Sequence, residues 1–206
     1  MVTSTRQASH RIFEDHPEAL NPVFEALRLP PLTKTVIEVL DSALKVQPSE
    51  GEDFLLAIEV QAEQDPDKAP GWARRVAQLH MTYHLPVLLL VICRNRPTAT
   101  WAAGPFEHRI GTWTSQILRP LVLGPDDLPE ITDEPTVIRQ PALATLATIV
   151  HSDSEKITNM LGVLVGGIRS LNRETATYLC ELLEVGLEGT PGEEIWRGDV
   201  DQIYVD

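Results

Sequence analysis

Two periods organise the apolar positions of this 206-residue chain. The clearest two-residue alternation runs through Phe54-Leu55-Leu56-Ala57-Ile58-Glu59-Val60-Gln61. Phe54, Leu56, Ile58 and Val60 fall on one side, and Leu55, Ala57, Glu59 and Gln61 on the other, which predicts a strand. The run 35–46 reads as a strand before it, with Asp41, Ala43 and Lys45 on one face. The intervening Gln47-Pro48-Ser49-Glu50-Gly51-Glu52-Asp53 reads as a turn. A hairpin folded about position 50 sets Asp41 opposite Glu59. The continuous apolar run 85–93 has strand length and the character of a central strand covered on both faces.

Helical spacing appears at 8–28, where Ile12, Phe13, Leu20, Val23, Phe24 and Leu27 recur, Pro17 restarts the helix and Leu29-Pro30-Pro31 ends it. It appears again at 68–83, where Ala69, Trp72, Ala73, Val76, Leu79 and Tyr83 form a stripe behind the turn Asp65-Pro66-Asp67. A strand–helix–parallel strand unit with a right-handed crossover follows from this order. The segments 98–103 and 106–122 read as short extended pieces, with Gly104 and Gly111 as punctuation. Composition changes near Pro125, and 135–187 reads as helices at 141–150, 156–168 and 173–187. Ser152 or Asp153 is the expected cap of the second, Asn172 of the third. Gly162, Gly166 and Gly167 cost that second helix about 1 kcal/mol each relative to Ala, and close helix packing is the expected reason. The expected division is therefore 1–124 for a mixed core and 125–206 for a helical appendage.

Composition narrows the setting. Hydrophobic residues make up 43%, so a packed core is expected. No apolar run approaches the ~20 residues that span a bilayer, and 1–7 carries no apolar signal core, so the expected location is cytoplasmic with no membrane partner. Cys93 and Cys180 lie in apolar surroundings, and reduced, buried thiols are the preferred reading. The net charge of −13 counts against generic duplex binding, which rests on Lys and Arg neutralising phosphates. Distribution matters more than the total. Acid concentrates in 50–67 and in 126–134, the second read as a solvated loop. Basic residues cluster at Arg74-Arg75 and Arg94-Asn95-Arg96 and could meet a phosphate backbone if both flank the Asp41/Glu59 face; ordinary surface charge is the plainer alternative.

Like charges opposed across a ladder destabilise it. A divalent cation between Asp41 and Glu59 would offset the repulsion, and Mg²⁺ prefers such hard oxygen donors. Solvated acids at strand ends explain the same spacing without a metal. Other chemistries are weak. His80 and His84 have i, i+4 spacing, but no third ligand is apparent and surface histidines are the better reading. Cys93 has no evident His partner. Trp72, Trp101, Trp113 and Trp196 are too scattered for a base-stacking platform. No phosphate-binding Gly-rich loop and no G-x-S-x-G elbow occurs.

Asp41-Ser42-Ala43-Leu44-Lys45, a turn, and then Phe54 to Gln61 resemble the PD-(D/E)XK nuclease superfamily. The likeness is to its transposase-like, recombination-promoting nuclease branch, where the usual Glu-x-Lys is written Glu-x-Gln. It covers roughly 8–105. It implies an α/β fold, a restriction-endonuclease-like mixed sheet flanked by helices with a helical C-terminal part. It implies a metal-dependent DNA endonuclease with Asp41, Glu59 and Gln61 as catalytic residues, and Mg²⁺ or Mn²⁺ held by Asp41 and Glu59. Gln61 stands in place of the lysine and can orient water but not transfer a proton. Lys45 is a candidate replacement cation, with a solvated hairpin residue the preferred reading. Glu14, or His10 on the same helical face, is a candidate extra group from the first helix, with surface exposure preferred for both. DNA is the expected partner, and a homodimer a further candidate. The chain also departs from the family. Only 35–40 precedes Asp41, with no turn signal, so the leading strand of a three-strand meander is expected to be shortened or missing. The segment 198–206 does not read as the family's closing helix. These departures motivate an alternative: an inactive nuclease-like domain serving as a protein-interaction or regulatory module.

Overall fold

The computed structural model describes residues 20–32, 36–40 and 43–199. The chain runs through α1 (Leu20–Ala26), β1 (Val36–Leu40), β2 (Ala43–Gln47), β3 (Phe54–Gln61), α2 (Lys68–Tyr83) and β4 (Val87–Cys93). It continues through α3 (Arg96–Ala102), β5 (Phe106–Ile110), β6 (Trp113–Leu118) and β7 (Leu121–Leu123). The helices α4 (Glu134–Arg139), α5 (Pro141–Val150), α6 (Ile157–Arg169), α7 (Arg173–Gly186) and α8 (Pro191–Asp199) follow. β1, β2, β3, β4 and β7 form one mixed sheet in that order, and β5 and β6 form a separate ribbon. The fold is mixed α/β, with helices against the sheet and a helical C-terminal part.

β2 and β3 pair antiparallel as Leu44↔Leu56, Lys45↔Leu55 and Val46↔Phe54, a register centred on position 50. β4 lies parallel to β3 from Leu55↔Val87 to Gln61↔Cys93, and β7 parallel to β4, so the apolar run ends up in the sheet interior. The helix expected at 68–83 has those bounds.

The first run is a correction. It is two strands rather than one, with β1 pairing β2 from Val36↔Gln47 to Leu40↔Ala43. The three-strand meander is therefore complete, and no leading strand is missing. A second correction concerns 98–103, expected as extended. It belongs to α3, where the Asn95 side chain accepts from the Thr98 N–H at 2.9 Å and Pro97 sits in the first turn. Capping and a preset φ start this helix, and Trp101 anchors it on Trp72 and Phe106 with ring centroids 5.6 and 5.5 Å away.

Two cores sandwich the sheet. Leu55, Ala57, Leu89, Val91 and Cys93 point toward α2 and α3, packing on Trp72, Leu79 and Ala102. Leu56, Ile58, Leu90 and Ile92 point the other way, into a contiguous cluster with Leu20, Leu146, Leu161, Leu179 and Trp196. The C-terminal helices thus share a core with the sheet. Asn172 caps α7 by accepting from Thr175 N–H at 2.9 Å. Neither Ser152 nor Asp153 caps α6, whose N-cap position is Lys156. Gly167 permits the close packing expected of it: a Cβ there would stand 2.4 Å from Cγ1 of Val137 on α4. Cys93 and Cys180 are reduced thiols buried in different cores.

The acidic segment after β7 is not simply solvated. Glu130 accepts from Ser154 Oγ and Lys156 Nζ, both at 2.6 Å, which holds its carboxyl below the usual range. Asp133 caps α4 through Thr136 N–H at 2.9 Å.

Candidate active site

Glu59 and Gln61 close β3 on the face that carries Leu55 and Ala57. They are only 6% and 5% exposed, so Glu59 is not a solvated acid at a strand end. α2 produces this burial by crossing that face on Trp72 and Leu79. A charge so placed requires a partner, and α2 supplies it: Arg75 Nη1 forms a salt bridge with Glu59 Oε1. The same Nη1 lies 3.5 Å from the Ile58 carbonyl oxygen. Gln61 Nε2 donates to the Glu63 carbonyl at 2.9 Å. That bond orients the amide and leaves Oε1 as its acceptor end.

Asp41 lies outside the described residues, as do Glu14 and His10. Its chain neighbours are informative. Leu40 and Ala43 are cross-strand partners, and Ala43 is buried in the cluster that holds Leu55 and Ala57, on the face of Glu59. Lys45 is on that face too, opposite Leu55. Four residues at about 3.3 Å each separate Leu55 from Glu59, and Lys45 pairs instead with Asp53 at 3.6 Å. The plainer reading of Lys45 holds.

Arg74 and Arg75 part company on α2. Arg75 turns inward to Glu59, whereas Arg74 is exposed. A cleft of about 560 Å³ follows the side of α2, with Glu59, Trp72, Arg75, Lys68, Arg74 and Asp67 among its lining. These groups give the cleft a local cationic excess on an acidic molecule. The Trp72 indole N–H is buried without an acceptor. The second basic cluster does not join them. Arg94 donates to the Glu188 carbonyl at 2.7 Å, just past the end of α7, and Arg96 pairs with Asp126 at 2.7 Å.

Other candidates resolve structurally. His80 Nδ1 lies 2.8 Å from the Leu85 carbonyl oxygen, and His84 is the left-handed C-cap of α2 with φ 56°. No group of three His, Cys, Asp or Glu placed to hold a metal occurs among the described residues. Burial pushes the Cys93 thiol up to about 12, with Asp127 adding to the effect, which removes it as a nucleophile near neutral pH. Trp72 and Trp101, scattered in sequence, do meet, but as a packed cluster with Phe106 rather than a platform. Arg75 is the residue that sequence reasoning grouped wrongly. Its position three after Trp72 and four before Leu79 on the helix was the available signal, since those neighbours share its inward side.

Comparison with protein-family models, with curated proteins and with solved structures finds no match for this chain.

Proposed function

We propose that this chain is a metal-dependent DNA endonuclease of the PD-(D/E)XK kind, hydrolysing phosphodiester bonds at the Asp41–Glu59–Gln61 constellation. The observation that carries this reading is the element order α1-β1-β2-β3-α2-β4. It sets Glu59 and Gln61 on one face of β3, beside a parallel β4, with the guanidinium of Arg75 paired to Glu59.

The donor set suits a hard divalent ion: the Glu59 carboxylate with Asp41 as the second acid, and the Gln61 amide two residues along the strand to orient water. The salt bridge to Arg75 is compatible with this, since a carboxylate has about four acceptor sites. When bound, Mg²⁺ or Mn²⁺ supplies Lewis-acid polarisation of the phosphate and lowers the pKa of water. Asp41 and Glu59 hold the ion. Gln61 orients the attacking water by hydrogen bonding. Arg75 takes the electrostatic role that lysine fills in the usual Glu-x-Lys, stabilising negative charge on the phosphate. Lys68 and Arg74 flank the cleft where a strand's phosphates would lie.

The test is nicking of supercoiled plasmid with Mg²⁺ or Mn²⁺. Cleavage is expected from the wild type and not from Asp41→Ala, and EDTA should abolish it. Gln61→Ala should slow cleavage while sparing metal binding measured by calorimetry. Gln61→Lys should keep or raise activity. Cleavage that survives EDTA, or that is equal in Asp41→Ala, would sink this assignment. The second reading, an inactive domain of the same architecture used for protein interaction, draws on the Glu59–Arg75 pair, which neutralises the carboxylate internally, and on the acidic balance. Absence of both Mg²⁺ binding and nicking in folded wild-type protein would favour it.

A further inference from the structure

The ribbon of β5 and β6 concentrates the exposed apolar surface of the described residues. Ile110, Trp113 and Ile117 are 77%, 72% and 49% exposed, and Met81 on the neighbouring α2 is 73% exposed. Ile110 and Trp113 are direct cross-strand partners at the tip. Beneath them the ribbon and α2 enclose a groove of about 390 Å³, lined by Ala69, Ala73 and Ala77 on one wall and Phe106 and Leu118 on the other. Phe106 and His108 line this groove, and Ile110 occupies the next position of the same period along β5. Tip and groove therefore belong to one side of the ribbon. β5 and β6 pair only with each other among the described residues; Phe106 and Leu118 pack the base of the ribbon on the Trp72 core, while Ile110 and Trp113 at the tip stay exposed.

We infer that this face is the interface of a homodimer, each copy seating its Ile110/Trp113 tip in the α2 groove of the other. A two-fold axis allows it, because the two complementary features lie on a single patch and each satisfies the other reciprocally. The area is sufficient. On that side the exposed side chains Ile110, Trp113 and Met81 leave roughly 350 Å² of apolar surface on each copy. Two copies bury about 700 Å² of it, and with interfaces about 60% apolar the whole is on the order of 1,200 Å², at the lower end of the range of stable complexes. Charge favours a second copy over nucleic acid. Glu107 and Arg109 neutralise each other in a salt bridge on the ribbon, so the tip offers phosphates little, and contact here brings two chains of net charge −13 together through a patch of low charge. The inference stands apart from the nuclease reading, since its measurement is mass rather than cleavage.

Sedimentation velocity across a concentration series tests it. The wild type should approach about 46 kDa, twice the 22.9 kDa of the chain. Trp113→Ser should weaken association more than roughly tenfold, and Ala73→Arg, which fills the groove from the α2 side, should give the monomer mass. Circular dichroism confirms that each variant is folded. A monomeric wild type at about 100 µM, or unchanged association in folded Ala73→Arg and Trp113→Ser, overturns the inference. So does a monomeric wild type that binds an oligonucleotide and loses that binding in Trp113→Ser, which would make the ribbon a nucleic-acid arm.

Discussion

Glu59 illustrates how one buried charge constrains a whole site. Its salt bridge with Arg75 sits under α2, with the two side chains 8% and 13% exposed. Removing one partner of such a pair strands the other in a poorly solvated place. Arg75→Ala should therefore lower stability by about 3 kcal/mol, read from the urea midpoint at constant slope. Glu59→Gln, isosteric and harmless on a solvated strand end, should here cost about 1–3 kcal/mol; equal midpoints for it and the wild type would mean that the pair contributes no net stability. Cys93 gives a second residue-level expectation. Its thiol is raised from 9.0 to about 12, so the neutral form is favoured in the folded state. The associated stability is fully present below pH 9 and is lost as pH rises from there through 12. Iodoacetamide at pH 8 should leave Cys93 unmodified in the native protein and alkylate it in urea. Rapid native labelling would contradict the burial that raises its pKa.

Among the elements, α6 depends on its glycines unequally. A Cβ at Gly162 meets nothing within 4 Å, whereas one at Gly167 stands 2.4 Å from Val137 Cγ1. Gly162→Ala should stabilise by about 0.5–1 kcal/mol through helix propensity. Gly167→Ala should destabilise by roughly 1–3 kcal/mol through overpacking. Val137→Ala opens room at that contact, so the Gly167→Ala/Val137→Ala double variant should be more stable than the sum of the two single losses predicts. Strict additivity in urea unfolding would show that α4 and α6 can shift apart without cost.

Over the whole molecule, the C-terminal helices and the sheet share one hydrophobic core. Leu56, Ile58, Leu90 and Ile92 share their cluster with Leu146, Leu161, Leu179 and Trp196. A fragment ending at residue 124 would expose that sheet face. Each of these Leu and Ile side chains would then forgo about 1.5–3 kcal/mol of burial. The fragment should lack a cooperative unfolding transition and bind a hydrophobic dye. A soluble 1–124 fragment with a sharp thermal transition would instead establish two independent domains.

By itself, the sequence determined β3, β4 and α2, and the register that folds about position 50. These follow from short-range rules: a strand alternates with period two, a helix repeats near 3.6, and a Gly/Pro-bearing polar stretch turns. It also placed Glu59 and Gln61 on one strand face, since parity is a property of the backbone. The tertiary structure decided everything that depended on which elements meet. The split of 35–46 into β1 and β2 follows from pairing between them, which apolar periodicity alone does not encode. The helix at 96–102 rests on a cap and an aromatic contact that override its extended-looking pattern. The burial of Glu59 and its partnership with Arg75 arise because α2 crosses the β3 face, bringing together charges sixteen residues apart. The same crossing separates Arg75 from Arg74, turning one toward the carboxylate and leaving the other in water.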